Sequence, residues 1–148
     1  MKKKLFYLLI FLITGIILGR KIYLATYNYE TKTSTSTYYF LQEGVYSNKK
    51  ILDENIKYLN SKVVETIDDK YHVYLGITKD YDIALKLKQI YESDGYQIYI
   101  KEINLDNMEF SNNLEQFDLL IENAKNKNEI LTIEEVVLAN YEEIIQKN

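Results

Sequence analysis

Apolar positions alternate twice along this chain in the same way. Tyr39-Phe-Leu-Gln-Glu-Gly-Val-Tyr-Ser47 and Tyr71-His-Val-Tyr-Leu-Gly-Ile-Thr-Lys79 align 32 positions apart, with Tyr39 on Tyr71, Leu41 on Val73 and Gly44 on Gly76. Each stretch has the period of two of a half-buried strand, breaks at a glycine, and gives way to helical spacing. The first helical stripe is Ile51, Leu52, Ile56 and Leu59; the second is Ile83, Ala84, Leu87, Ile90 and Tyr91. Between and after them lie two further strand patterns, Val63 to Ile67 and Tyr96 to Ile103. The repeat therefore predicts a small domain of two β-α-β units, with strands at Tyr38–Glu43, Val63–Ile67, Tyr71–Leu75 and Tyr96–Ile103.

Local signals set the ends of these elements. Ser47 or Asn48 can cap the first helix, and Thr78 or Asp80 the second, because their oxygens accept from the free N–H groups of a first turn. Gly95 stands where a left-handed residue stops a helix. Asp68-Asp69-Lys70 is a turn between the second and third strands. Strand parity puts Phe40 and Gln42 on one face and Tyr39 and Leu41 on the other. It groups His72 with Tyr74 against Tyr71, Val73 and Leu75, and Gln97 with Tyr99 and Lys101 against Tyr96, Ile98 and Ile100. The helices are expected on the more aliphatic face. The opposite face would then show Phe40, Gln42, His72, Tyr74, Gln97 and Tyr99, unless a partner chain or the C-terminal segment packs on it. Rings beside amides suit stacking on sugar C–H faces with hydrogen bonds to hydroxyls.

The C-terminal segment carries two more stripes. Leu114, Phe117, Leu120, Ile121 and Ala124 define a helix over Asn112–Asn126, and Ile133, Val136, Val137, Tyr141 and Ile144 a second one ending near Gln146. Thr132-Ile-Glu-Glu135 reads as a capping box opening the second. Such a hairpin must bury its stripes on the domain, on a copy of itself, or on a partner.

The N-terminus differs from the rest. Leu5 to Gly19 is apolar except for Thr14 and follows Lys2-Lys3-Lys4. A bilayer needs roughly 20 residues, a length reached if Arg20 and Lys21 snorkel and Ile22 to Ala25 complete the last turn. Tyr7, Tyr23 and Tyr27 would sit near the interfaces. The competing reading is a cleaved signal peptide, for which Gly19-Arg20-Lys21 is a poor cleavage site. Three lysines and the amino terminus outweigh Arg20 and Lys21, so the N-terminus is expected in the cytoplasm and the body outside the membrane. Thr31 to Thr37 is a polar spacer that reads as a tether, or as a threonine-rich edge strand. The expected organisation is a stub and anchor over 1–27, a tether over 28–37, a domain over 38–104 and a helical extension over 105–148.

Composition removes several functions. The chain has no cysteine, so disulfides, thiolate metal sites and lipoprotein anchoring are excluded. From Thr26 onward there are 13 basic and 22 acidic residues, a balance that repels nucleic acid. An RNA-recognition module would share the element order, but this body is acidic and lacks the basic-aromatic motif. His72 is the only histidine, which leaves a metal cluster or a Ser-His-Asp triad without support. No glycine-rich phosphate loop is present. Asp68-Asp69 and Asp80 with Asp82 read as turn and cap residues. No catalytic residue, metal or cofactor is expected.

Leu41-Gln42-Glu43-Gly44-Val45-Tyr46-Ser47-Asn48 resembles the opening motif of the SPOR (sporulation-related repeat) domain, and Tyr71-His72-Val73-Tyr74-Leu75-Gly76 resembles its second-half strand. The resemblance covers Tyr38 to Ile103. It implies an α+β, βαββαβ, ferredoxin-like fold: a four-stranded antiparallel sheet with two helices on one face. It also implies a non-enzymatic module that binds peptidoglycan glycan strands stripped of stem peptides and targets single-pass membrane proteins to division or sporulation septa. By position, Gln42 is the motif glutamine that faces the glycan, and Tyr46, Ser47 and Asn48 form the strand-to-helix junction. Phe40, His72, Tyr74 and Tyr99 would complete the glycan-binding set. Glu43 and Val45 depart from the family pattern, which has an aliphatic and a small residue there. The alternative function is a single-pass scaffold whose domain and helical tail bind another cell-envelope protein.

Overall fold

The computed structural model describes residues 35–147; the expected membrane segment and most of the tether lie outside them. Among the described residues no helix is long and apolar enough to cross a membrane. The body is α+β. Strand β1 (Ser36–Tyr46) leads to helix α1 (Lys49–Ile56), strands β2 (Val63–Ile67) and β3 (Lys70–Thr78), helix α2 (Tyr81–Ser93) and strand β4 (Tyr99–Leu105). Helices α3 (Met108–Asn123) and α4 (Lys127–Lys147) follow. The sheet order is β2-β3-β1-β4 and every pairing is antiparallel.

The local signals act largely as read. Asn48 caps α1, its side-chain oxygen accepting from Lys50 N and Ile51 N, and Asp80 caps α2 through Asp82 N and Ile83 N. Gly95 has φ +90. Asp68 (φ 50) and Asp69 (φ 59) form the two-residue turn of the β2–β3 hairpin, whose backbone needs positive φ at both positions. Strand β1 begins inside the expected tether, where Thr37 Oγ1 donates to Asn104 Oδ1 at 2.9 Å. It also runs past Gly44 instead of stopping there. Two opposed bulges make this possible: Leu75 is the extra residue on β3 between the Leu41–Gly76 and Gln42–Tyr74 pairs, and Glu43 the extra residue on β1 before Gly44–Val73. The two insertions cancel, so the register recovers to Tyr46–Tyr71.

Each face of the sheet has its own core. Leu41, Val73, Leu75 and Ile98 pack under α1 and α2, against Leu52, Ile56, Ile83, Ala84, Leu87 and Tyr91. Ile51, counted in the α1 stripe, is exposed. On the other face, Tyr38, Phe40, Val63, Tyr74 and Ile77 pack under the C-terminal hairpin, against Phe110, Leu114, Val137, Leu138 and Tyr141. The expected open aromatic face is thus covered, and the fold has three layers. Aromatic edges seal it: Phe40 meets Tyr74 at 5.0 Å and Tyr141 at 5.1 Å, both edge-on. Helix α3 is capped by Asn107, earlier than the sequence pattern indicated. Helix α4 starts at Lys127, so Thr132 is an interior residue bonded to the Asn128 carbonyl and not a cap.

Candidate functional site

Strand β2 accompanies β3 only from Lys70 to Tyr74, so the edge of β3 beyond Tyr74 has no strand beside it. An uncovered edge presents free backbone groups that must find partners. Three side chains supply them. Tyr91 donates to the Leu75 carbonyl at 2.6 Å, Glu134 Oε2 accepts from Ile77 N at 3.0 Å, and Asp118 Oδ2 accepts from Lys79 N at 3.0 Å. Asp118 Oδ1 also accepts from the Thr78 hydroxyl at 2.6 Å. The hairpin is therefore fastened to β3 by two buried carboxylates as well as by its apolar faces. A Cβ at Gly76 would come within 3.0 Å of Glu134 Oε2, so the absence of a side chain at this bulge lets the carboxyl in. Burial, and secondarily the charge of Asp118, pushes Glu134 up to about 8 against the lowering effect of the Ile77 N–H. Asp118 is raised by burial, with its two hydrogen bonds acting against the rise.

The hairpin leaves one end of its sheet face open. Cross-strand partners share a face, so the pairs Gln42–Tyr99, Gln42–Tyr74, Val45–His72 and Glu65–His72 place all of these side chains on the hairpin side. Phe40 and Tyr74 are fully buried there and cannot touch a ligand in this structure. Gln42 and His72 are half-buried, Val45 is exposed, and Tyr99 is 56 % exposed. Gln42 Oε1 lies 3.1 Å from His72 Nδ1, and the His72 ring stacks on Tyr74 with centroids 6.3 Å apart. Burial lowers the His72 pKa, helped by the charge of Lys101 and opposed by Glu65. A neutral imidazole donating from Nδ1 fixes the Gln42 carbonyl inward. That leaves the Gln42 amide N–H groups and His72 Nε2 for a ligand, beside the open ring of Tyr99. Tyr141 closes the covered side by donating to Glu65 Oε2 at 3.2 Å.

The junction residues do not join this patch. Tyr46 pairs with Tyr71 on the opposite face, beside the α1–α2 core, and donates to Glu43 at 2.9 Å. Burial and then Glu43 push its phenol up to about 12. Asn48 is occupied as a cap, Ser47 is exposed beside it, and Gln97 is exposed outside β4. Glu43 is the bulged residue of β1, and the Tyr46 hydroxyl donates to its carboxylate. Glu65 and Lys101 belong to the patch and are not among the site residues expected from the sequence; Val45, noted there only as a departure from the resembled motif, joins them. Glu65 could have been placed there by pairing β2 with β3 in the register that the Asp68-Asp69 turn sets. Among the described residues no group of three or more acidic or histidine side chains could hold a metal ion. No family model, curated protein or solved structure matches this chain.

Proposed function

We propose that the protein is a non-enzymatic, ferredoxin-like cell-envelope module that takes a peptidoglycan glycan strand at the open end of its sheet, with the N-terminal segment as its membrane anchor. The observation that carries this reading is the hydrogen-bonded Gln42–His72 pair beside the exposed Tyr99 ring. Two polar groups of fixed orientation next to a ring match a sugar with hydroxyls on its edge and C–H groups on its face. The resemblance of the Gln42 and Tyr71–Gly76 segments to the SPOR pattern points to glycan as the sugar. The footprint is short, because Phe40 and Tyr74 serve the core instead.

Binding of the 31–148 body to purified sacculi, with and without amidase treatment, tests this. Binding should rise when stem peptides are removed. Gln42→Ala and Tyr99→Ala should each weaken it by about 3- to 10-fold, the worth of one hydrogen bond or stacked ring, with unchanged thermal unfolding. Full binding in the double variant would overturn the assignment.

One observation favours the scaffold reading. Leu119 and Leu120 on α3 and Val136 on α4 are each at least half exposed, large apolar side chains that the hairpin does not bury. Replacing these three by aspartate should leave sacculus binding intact under the glycan reading and abolish localisation under the scaffold reading.

A further inference from the structure

A cleft of about 320 Å³ opens where β2 would have continued along β3. Its floor is apolar: Leu59, Leu75 and Tyr91 are buried and Leu131 half-buried. The Tyr91 hydroxyl is turned away to the Leu75 carbonyl, so its ring serves as a wall. The rim comes from three separate segments: Asn60 and Ser61 before β2, Asp94 and Tyr96 after α2, and Asn128, Thr132 and Glu135 on α4. Polar rim residues outnumber the apolar floor residues, a build that suits a ligand with a short apolar stem and polar ends, and the volume lies at the small end of small-molecule sites.

The charge of the cleft selects the ligand. No lysine or arginine lines it. Asp94 is held by Lys127, whereas Glu135 makes no ion pair among the described residues. The Tyr91 phenol is pushed up chiefly by burial, as expected of a ring that walls the cleft. Lys62 donates to the Leu59 carbonyl at 3.0 Å, which leaves Glu135 as the unpaired charge among the lining residues. A cation is drawn to Glu135 and to the Tyr96 ring.

We propose that this cleft binds a primary alkylammonium group, its stem on Leu59, Leu75 and Leu131 and its nitrogen between Glu135 and Tyr96. The Asn60 and Asn128 amides meet the carbonyl or amide groups at the far end of the stem. The site is separate from the Gln42–His72 patch, and its test does not depend on glycan binding.

Calorimetry on the full chain in a non-ionic detergent tests it, with Nα-acetyl-lysine methylamide and 1,5-diaminopentane as probes. Saturable binding in the millimolar range is expected, weakened about tenfold in Glu135→Gln, the worth of one charge-assisted contact. The Nε-acetylated lysine derivative, which keeps the stem and loses the charge, should bind about tenfold more weakly as well. Tighter binding of the diamine assigns a free amine as ligand; tighter binding of the lysine derivative assigns a side chain. No heat from either amine, equal binding of the neutral derivative, or full binding in Glu135→Gln would each overturn the proposal. Glu135 is exposed, so its replacement leaves the fold intact and the result interpretable.

Discussion

Glu134→Gln isolates the one carboxyl that is fully buried in the hairpin-to-sheet contact. In the folded protein this carboxyl holds its proton up to about 8, against an ordinary value of 4.5, chiefly because burial penalises the anion. The folded state therefore binds more protons than the unfolded chain between those two values. Glu134 then favours folding fully below pH 4.5, and that contribution is lost as pH rises toward 8. Each pH unit removes about 1.4 kcal/mol, on the order of 5 kcal/mol over the whole window.

Glutamine keeps an acceptor for Ile77 N but cannot ionise. It also carries an NH2 group into the position of Oε1, which is buried without a hydrogen-bond partner. The protonated wild-type carboxyl buries an unpartnered O–H in the same place, so the two side chains are about equal in cost near pH 5. The two proteins should be of similar stability near pH 5, and the variant should gain on the wild type as pH rises toward 8. Urea unfolding of both proteins from pH 4.5 to 9 measures this. Groups common to the two proteins and not coupled to Glu134 drop out of the difference; Asp118, whose charge raises Glu134, contributes only through that coupling. A difference that stays flat within about 1 kcal/mol across the window would refute the reasoning, since the pH slope then does not come from Glu134.

Three further outcomes follow from the packing. Phe40→Ala should destabilise by about 3–5 kcal/mol, because its ring is sealed between Tyr74 and Tyr141; a loss under about 1 kcal/mol in urea would mean that the hairpin does not cover this face. Asn48→Ala should cost about 1 kcal/mol through the α1 cap alone and leave sacculus binding unchanged, which separates its structural role from the glycan role that its motif position implies. His72 should titrate below 6.5 in a proton NMR experiment, with the neutral form favoured by burial. Its contribution to stability is present above the unfolded value of 6.5 and lost as pH falls through the lowered folded value, and glycan binding should weaken in the same range as the Gln42 contact is disturbed.

Much of this fold can be read from residues with a local job. Asn48, Asp80, Gly95 and Asp68-Asp69 end or turn their elements through their own backbone and side-chain chemistry, and the structure uses all of them so. The faces of β1 and β3 follow from parity as far as the bulges. Beyond them parity fails: Ile77 shares the hairpin face with Tyr74, three positions away, because Leu75 is inserted between. A bulge is set by how two strands pair and leaves no periodic mark on either. The helical stripes carried a similar ambiguity. Leu120 and Val136 fit the apolar spacing yet are exposed, while Asp118 and Glu134 lie inside. Those two carboxylates are buried because β3 outruns β2, a fact about strand lengths that no window around Asp118 or Glu134 contains.

The hairpin also decides how the candidate site is to be understood. A sheet with helices on one face and aromatic rings on the other reads as a binding platform, and a C-terminal hairpin over it reads as a lid. The magnitudes do not allow a lid. Tyr38, Phe40, Tyr74 and Ile77 on the sheet, with Phe110, Leu114, Val137, Leu138 and Tyr141 above them, are buried at the contact, each worth about 1.5–3 kcal/mol on burial. Ionising Glu134 returns only on the order of 5 kcal/mol, so neither pH nor a weak sugar contact can lift the helices. The hairpin is a structural layer. Under the proposed glycan function, recognition on this face would be confined to the strand ends that the helices do not reach, where Gln42, His72 and Tyr99 remain, and specificity would come from the orientation of the Gln42–His72 pair instead of from a long aromatic platform.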